Sequence, residues 1–248
     1  MNKQVSLDEL WNSAPSGDRV FRPEDFANLP SGARRYLERA IAPGTKLASA
    51  VRLRMHGEID IKGWRPFKAE QVIYWDRGII WRAATRVNGL PIWGSDRLVD
   101  GEGAMRWKLL GLFPIVTAAG SDVTRSTVGR MQGEAVWLPS TFCRREVSWT
   151  ETDPLHPRAT VTLLDEETEL VLTLSREGQL QSIKLKRWDN PDETEFRYID
   201  FGCVVESEGT FSGYTIPTDV RVGWYFGSDR FETEGEFFRA AIDEAVYR

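Results

Sequence analysis

A mainly β fold is what this sequence predicts: one large curved antiparallel sheet, a half-barrel or open barrel, with a short helical region at its N-terminus and one inserted helix. Three observations carry the expectation. Residues 51–61 alternate strictly between apolar and polar side chains, short turn signals recur downstream, and near residues 122–138 the spacing of apolar residues changes to a helical one.

In chain order, residues 6–12 and 23–28 read as short helical turns, the second opening with Pro23 at a favourable first-turn position. "SGARRYLERAIAPG" reads as a fuller helix, with Ser31 as N-cap, an apolar stripe of Ala33, Tyr36, Leu37, Ala40 and Ile41, and Pro43-Gly44 as the stop. Residues 1–45 are thus expected to form a helical segment packed on the sheet, and 46–248 a single antiparallel β domain with the inserted helix.

"AVRLRMHGEIDI" puts Val51, Leu53, Met55, Ile59 and Ile61 on one face and Arg52, Arg54, His56, Glu58 and Asp60 on the other, as in a strand with one face packed and one polar. Further strands are expected at 67–75, 79–87, 93–99, 104–110, 144–150, 158–164, 169–175, 180–188, 194–200, 203–207, 218–226 and 230–237. Asn88-Gly89, Asp100-Gly101, Glu177-Gly178, Asp189-Asn190-Pro191 and Glu208-Gly209 supply the turns between them. The last segment, "FFRAAIDEAVYR", fits a strand or a short helix equally well.

The helix over 122–138 has Ser121 or Asp122 as its cap and Pro139 as its stop. Val123, Thr127, Arg130, Met131, Glu134, Trp137 and Leu138 share one sector of about 120°, so an arginine and a glutamate lie inside the apolar stripe. Gly129 and Gly133 fall together on a flanking sector, where each costs about 1 kcal/mol relative to alanine, which points to close approach of another element. Three readings of Arg130 and Glu134 stand side by side: an exposed rim pair, a buried structural pair, or a functional carboxylate with its orienter.

Composition excludes several function classes. Hydrophobic residues make up 41% of the 248 and charged residues 28%, as in an ordinary folded chain, and the net charge of −5 argues against a general nucleic-acid binder. The run Lys184-Leu185-Lys186-Arg187 reads as a solvated strand face. The two cysteines, Cys143 and Cys203, and the two histidines, His56 and His156, stand too far apart for metal-ligand spacing, so no metal is expected. No P-loop, GxGxxG or GxSxG frame occurs, so no cofactor is expected. The N-terminal stretch has no secretory apolar run and no window resembles a membrane span, which together with the sparse thiols predicts a cytoplasmic protein with both cysteines reduced.

Of ten tryptophans, Trp75, Trp81, Trp107, Trp149, Trp188 and Trp224 sit on expected strands, filling a wide core or lining a pocket. The phrases "LPSGARRYLERAIAPGT", "FKAEQVIYW", "IIWRAATRVNGLPIWGSDRLVDGEGAMRWKLLGLFPIV" and "EAVWLPS" together resemble a bacterial domain-of-unknown-function family, over roughly residues 29–240. At fold level the pattern is similar to the open half-barrels of lipoprotein carriers and of the cofactor-free enzyme of violacein biosynthesis. That resemblance implies a fold and no catalytic residue.

Two functions follow from the residues. In one, a hydrophobic or aromatic small molecule binds between the curved sheet and the helix, against Trp81, Trp107, Trp137 and Trp149, with Arg130 contacting an anionic group. In the alternative the same cavity is the active site of a cofactor-independent cyclase, isomerase or hydrolase. Glu134 is then the general acid or base, Arg130 its partner, and Asp100, Glu102 or His56 a second titrating group. A third, structural reading gives the charged strand faces to another chain.

Overall fold

The strands pair antiparallel throughout, and their order explains how a helix comes to lie inside a sheet. The computed structural model describes residues 4–248. Six strands, β1 (Ala50–Asp60), β2 (Trp64–Tyr74), β3 (Gly78–Val87), β4 (Leu90–Val99), β5 (Glu102–Leu109) and β6 (Phe113–Ala119), meander outward from the middle of the sheet. The chain then crosses to the opposite edge and returns through β7 (Ser148–Thr150), β8 (Arg158–Leu163), β9 (Glu166–Leu174), β10 (Leu180–Asp189), β11 (Arg197–Phe211), β12 (Tyr214–Trp224) and β13 (Glu236–Tyr247). β13 closes the sheet against β1, leaving β6 and β7 as its two edges. A thirteen-stranded sheet of this kind curls under its own twist, and the crossing segment fills the concave side.

That crossing segment is α3 (Ser121–Gly133), followed by two tight helical turns, Glu134–Trp137 and Pro139–Cys143. It touches both wings. On one side Gly103 N–H of β5 donates to Thr124 Oγ1 at 2.9 Å, and a Cβ at Gly103 would lie 2.5 Å from the Thr124 backbone, so only glycine permits the approach. On the other side Arg125 pairs with Glu166 of β9 at 2.8 Å, and Trp188 Nε1 of β10 donates to Asp122 at 2.9 Å. Gln132, fully buried, donates to the carbonyls of Val161 and Glu166 and accepts from Thr168. Because both flanks of α3 are covered, Val128, Gly129 and Gln132 are buried as well as the expected stripe residues Thr127 and Met131.

The N-terminal elements pack on the sheet from two sides. α1 (Leu7–Ser13), capped by a reciprocal Ser6–Glu9 box, lays Leu7 and Leu10 against Val72, Ile80 and Val99 on the convex face. α2 (Ser31–Ala40) buries Ala33, Tyr36, Leu37 and Ala40 in the main core, as its stripe predicts.

Several details differ from expectation. Ser31 is the first helical residue rather than the cap: the free N–H groups of Ser31 and Gly32 are taken by Glu151, at 2.9 and 2.7 Å, from 120 and 119 residues away. Neither Ser121 nor Asp122 caps α3; Gly120 does, at φ 113°, and Asp122 is occupied by the Trp188 indole. α3 leaves α geometry at Gly133, six residues before Pro139, because Glu134 to Trp137 tighten into the first of the two turns. Residues 197–200 of the expected 194–200 strand and all of 203–207 belong to a single strand, β11, and the expected Glu208-Gly209 turn lies inside it; the chain reverses at Ser212-Gly213, both at positive φ. Residues 231–235 form a helical turn, and the ambiguous C-terminal segment is a strand, held by its register against β1. β6 had no predicted counterpart: as an edge strand with most of its residues exposed, it lacks the alternation that marks its neighbours.

Candidate functional site

Between α3 and the concave face lies a cavity of about 400 Å³. Alternation along the strands decides what lines it. On β3, Trp81 points inward; on β5, Trp107 does; on β12 and β13, Val222, Trp224 and Phe238 do the same. Trp107 lies flat over Gly94 of the neighbouring strand, where a Cβ would fall 2.1 Å from the indole, so that glycine gives the ring its place. Trp81 packs at 5.7 Å from Trp107 and 6.0 Å from Phe238, and Phe201 at 4.8 Å from Trp224. Trp137 adds its face from the turn after α3, its indole N–H donating to the Pro217 carbonyl at 3.1 Å. Ile61, Ile115 and Val116, all exposed, carry the apolar lining out to the surface at one end.

One stretch of this wall is polar. Arg130 donates through Nε to Glu134 Oε1 at 2.7 Å, through Nη1 to Asp96 Oδ2 at 3.2 Å and through Nη2 to Gln71 Oε1 at 3.4 Å. Gln71 Nε2 returns to Glu134 Oε2 at 2.7 Å, and Trp107 Nε1 donates to Asp96 Oδ1 at 3.0 Å. The side chains of Arg130 and Glu134 are 17% and 16% exposed, so the pair belongs to the interior and not to a rim. Each carboxylate oxygen has a donor, as a charge taken out of water requires. Burial raises the Asp96 carboxyl above its ordinary range in spite of Arg130. Burial acts to lower Arg130, but Glu134 and Asp96 outweigh it and hold the guanidinium above its ordinary value.

A second cation faces the cavity. Arg187 of β10 follows Ile183 and Leu185 on the inward side, stacked over Phe201 at 4.7 Å and Trp224 at 5.0 Å. Its Nε and Nη2 donate to the Ser126 carbonyl and hydroxyl at 3.1 and 3.2 Å, and Asp189 stands 3.7 Å away. Burial brings Arg187 down to about 10, with Asp189 opposing. Lys184 and Lys186 of the same run do face solvent, where both pair with Asp200.

The model of a family of unknown function, DUF6920, matches residues 27–247. The chain belongs to this family. No curated protein matches it. Among solved structures, a LolA superfamily protein from Nitrosomonas europaea superposes with a TM-score of 0.44 at 10% identity, covering 88% of this chain and 92% of its own. A domain described as an outer membrane lipoprotein-sorting protein, from Vibrio parahaemolyticus, gives a TM-score of 0.44 at 6% identity, covering 81% and 86%.

In this DUF6920 chain the structure brings together Arg130, Glu134, Trp81, Trp107 and Trp137 of the expected site. Trp149 is a correction: it lies in the core at 5.6 Å from Phe142 and 6.3 Å from Tyr36, its N–H directed at the Phe142 carbonyl. The residues considered as second titrating groups are elsewhere too. His56 pairs with Asp243 on the convex face, Asp100 with Arg77 in its turn, and Glu102 is exposed. Among the described residues no three His, Cys, Asp or Glu side chains converge as a metal site requires, and no helix is long and apolar enough to cross a membrane. Asp96 and Arg187 of the lining were missed in the sequence, as was Gln71, which bonds to the polar stretch from outside the lining. Each carries a signal, a polar side chain on the apolar parity of its strand: Phe67, Ala69, Gln71, Ile73; Ile92, Asp96, Leu98; Ile183, Leu185, Arg187.

Proposed function

We propose that the protein binds one hydrophobic or aromatic small molecule in the cavity between the sheet and α3. A single observation carries the reading: an aromatic-walled cavity of about 400 Å³ whose charged lining residues are few, namely Asp96, Arg130, Glu134, Arg187 and Asp189. Volumes of about 300–1,000 Å³ with few convergent polar groups are typical of small-molecule sites. A ligand of about 20 non-hydrogen atoms at about 0.3 kcal/mol each would bind with a dissociation constant of the order of tens of micromolar.

Intrinsic tryptophan fluorescence titrated with a neutral aromatic probe, N-phenyl-1-naphthylamine, tests this, because Trp81, Trp107, Trp137 and Trp224 surround the space. Val222→Phe and Leu185→Phe, both on the lining, should each weaken binding at least tenfold while circular dichroism stays unchanged. Saturable binding that survives both cavity-filling variants would place the probe elsewhere and reject the proposal.

A second reading, cofactor-independent acid–base chemistry in the same cavity, is favoured by the two carboxyls that flank Arg130, Glu134 and Asp96. Burial disfavours the ionised form of Asp96, which suits this carboxyl to the acid role. Glu134→Gln separates the readings. It should leave affinity within about tenfold if the protein is a binder, and lower turnover on a candidate substrate by about a hundredfold or more if it is an enzyme.

A further inference from the structure

Arg187 and Arg130 face the same cavity, but their hydrogen-bonding capacity is used very differently. Arg130 has an acceptor for every guanidinium nitrogen, two of them on carboxylates. Arg187 uses only Nε and Nη2, both on Ser126. Among the described residues Nη1 has no hydrogen-bond partner. Its nearest carboxylate is engaged elsewhere: Asp189 Oδ2 accepts from Ser126 Oγ at 2.5 Å and Oδ1 from the Asn190 N–H at 2.8 Å.

We propose that the ligand of this cavity is an amphipathic acid, an apolar or aromatic body carrying one carboxylate, and that Arg187 receives the carboxylate. The inference rests on the binding reading above and moves the anionic contact from Arg130, where the sequence alone suggested it, to Arg187.

Three features of the structure support it. First, the lining carries donors without acceptors among the described residues: Arg187 Nη1 and the buried Nε1 of Trp81. A ligand that complements such a wall brings acceptors. Second, an acid placed against Arg130 meets Glu134 and Asp96, both hydrogen-bonded to it, whereas at Arg187 it meets a guanidinium stacked over Phe201 and Trp224 whose neighbouring carboxylate, Asp189, stands 3.7 Å away on the Nη2 side and is bonded to Ser126 and Asn190. A charge-assisted bond in that apolar setting is about twice as strong as one to a neutral acceptor, which favours carboxylate over ester or alcohol.

Third, the helix is built to admit the Arg187 stem. The position where a Gly129 Cβ would stand is 3.0 Å from Arg187 Cγ, so the glycine of α3 leaves room for the side chain to pass beneath the helix. Ser126, one turn earlier, then fixes two of its nitrogens. Side-chain exposure of Arg187 is only 11%, so its guanidinium is positioned from the cavity side rather than from bulk water.

The test compares probes that differ only in the head group: 2-naphthoate with methyl 2-naphthoate, and dodecanoate with dodecan-1-ol, each titrated calorimetrically at pH 7. The acid of at least one pair should bind about tenfold or more tightly than its neutral partner. Arg187→Gln should erase that preference, read as the ratio of acid to neutral affinity within the same variant, and Arg187→Lys should retain part of it. Equal binding of acid and neutral probes to the native protein would overturn the inference, a result independent of whether any variant folds. An acid preference that persists in Arg187→Gln overturns it as well. If neutral probes also fail to bind the native protein, the cavity reading falls with it; if they bind without acid preference, only the role of Arg187 falls.

Discussion

Gln71 Nε2 donates to Glu134 Oε2 at 2.7 Å, joining the middle of β2 to the end of α3 across 63 residues of sequence. This bond shows what the arginine and glutamate on the apolar stripe are for. They are not a surface pair that stabilises an isolated helix; they are the helix's half of a four-residue cluster with Gln71 and Asp96 that fastens α3 to the sheet. The same cluster gives the cavity its polar stretch.

Removing one member should therefore cost more than a surface pair would. Glu134→Ala leaves Arg130 and Gln71 short of a partner in the interior, and the expected loss is about 3 kcal/mol of unfolding free energy, read by urea denaturation. Glu134→Gln keeps an acceptor for Arg130 and should lose markedly less. A loss below about 1 kcal/mol for Glu134→Ala would mean that water, not protein, satisfies these groups.

The pH dependence of stability should carry the mark of Asp96. Burial raises its carboxyl in the folded state, so the native protein keeps this proton to higher pH than the unfolded chain does. Between the unfolded value near 3.9 and the raised folded value, the contribution of Asp96 to stability falls as pH increases, and above the folded value the penalty is constant. The stability difference between the native protein and Asp96→Asn, followed by denaturation from pH 4 upward, should fall in this window and then level off. A difference that rises with pH would contradict the assignment.

The two glycines of α3 should respond differently to alanine. At Gly133 a Cβ would meet Leu185 Cδ2 at 3.4 Å, an ordinary contact, so Gly133→Ala should be neutral or gain about 0.5 kcal/mol through helix propensity. At Gly129 the new methyl would press on Arg187 Cγ at 3.0 Å. Gly129→Ala should thus gain less than Gly133→Ala, or lose stability. Paired thermal melts decide it, and the reverse ranking would show that Arg187 yields freely.

Both thiols are free and buried, and burial pushes Cys143 and Cys203 each up to about 12. Neither should react with a disulfide reagent at pH 8 while the protein is folded. After denaturation without reductant, two thiols per chain should titrate if the expectation of a reducing, cytoplasmic setting holds. Finding none would point to an oxidising compartment.

The amino-acid sequence alone determined the local periods and their breaks. Strict alternation in β1, the Asn88-Gly89 and Asp100-Gly101 turns and the apolar stripe of α2 depend on neighbours a few residues away, and all three are present as read. It also marked Arg130 and Glu134 as anomalous on the α3 stripe.

Tertiary structure alone decided what those anomalies meet. Asp96 reaches Arg130 across 34 residues, Arg187 reaches Ser126 across 61 and Glu151 caps α2 across 120, because the sheet curls and its crossing helix draws both wings together. Alternation assigns a side chain to a face but not to a partner on that face. Trp107 and Trp149 therefore read alike along the chain, although one lines the cavity and the other fills the core. Which inward residue borders empty space is settled by how far α3 stands from the sheet at that point. That distance depends on the close approaches at Gly103 and Gly129 acting together, and no local pattern encodes it.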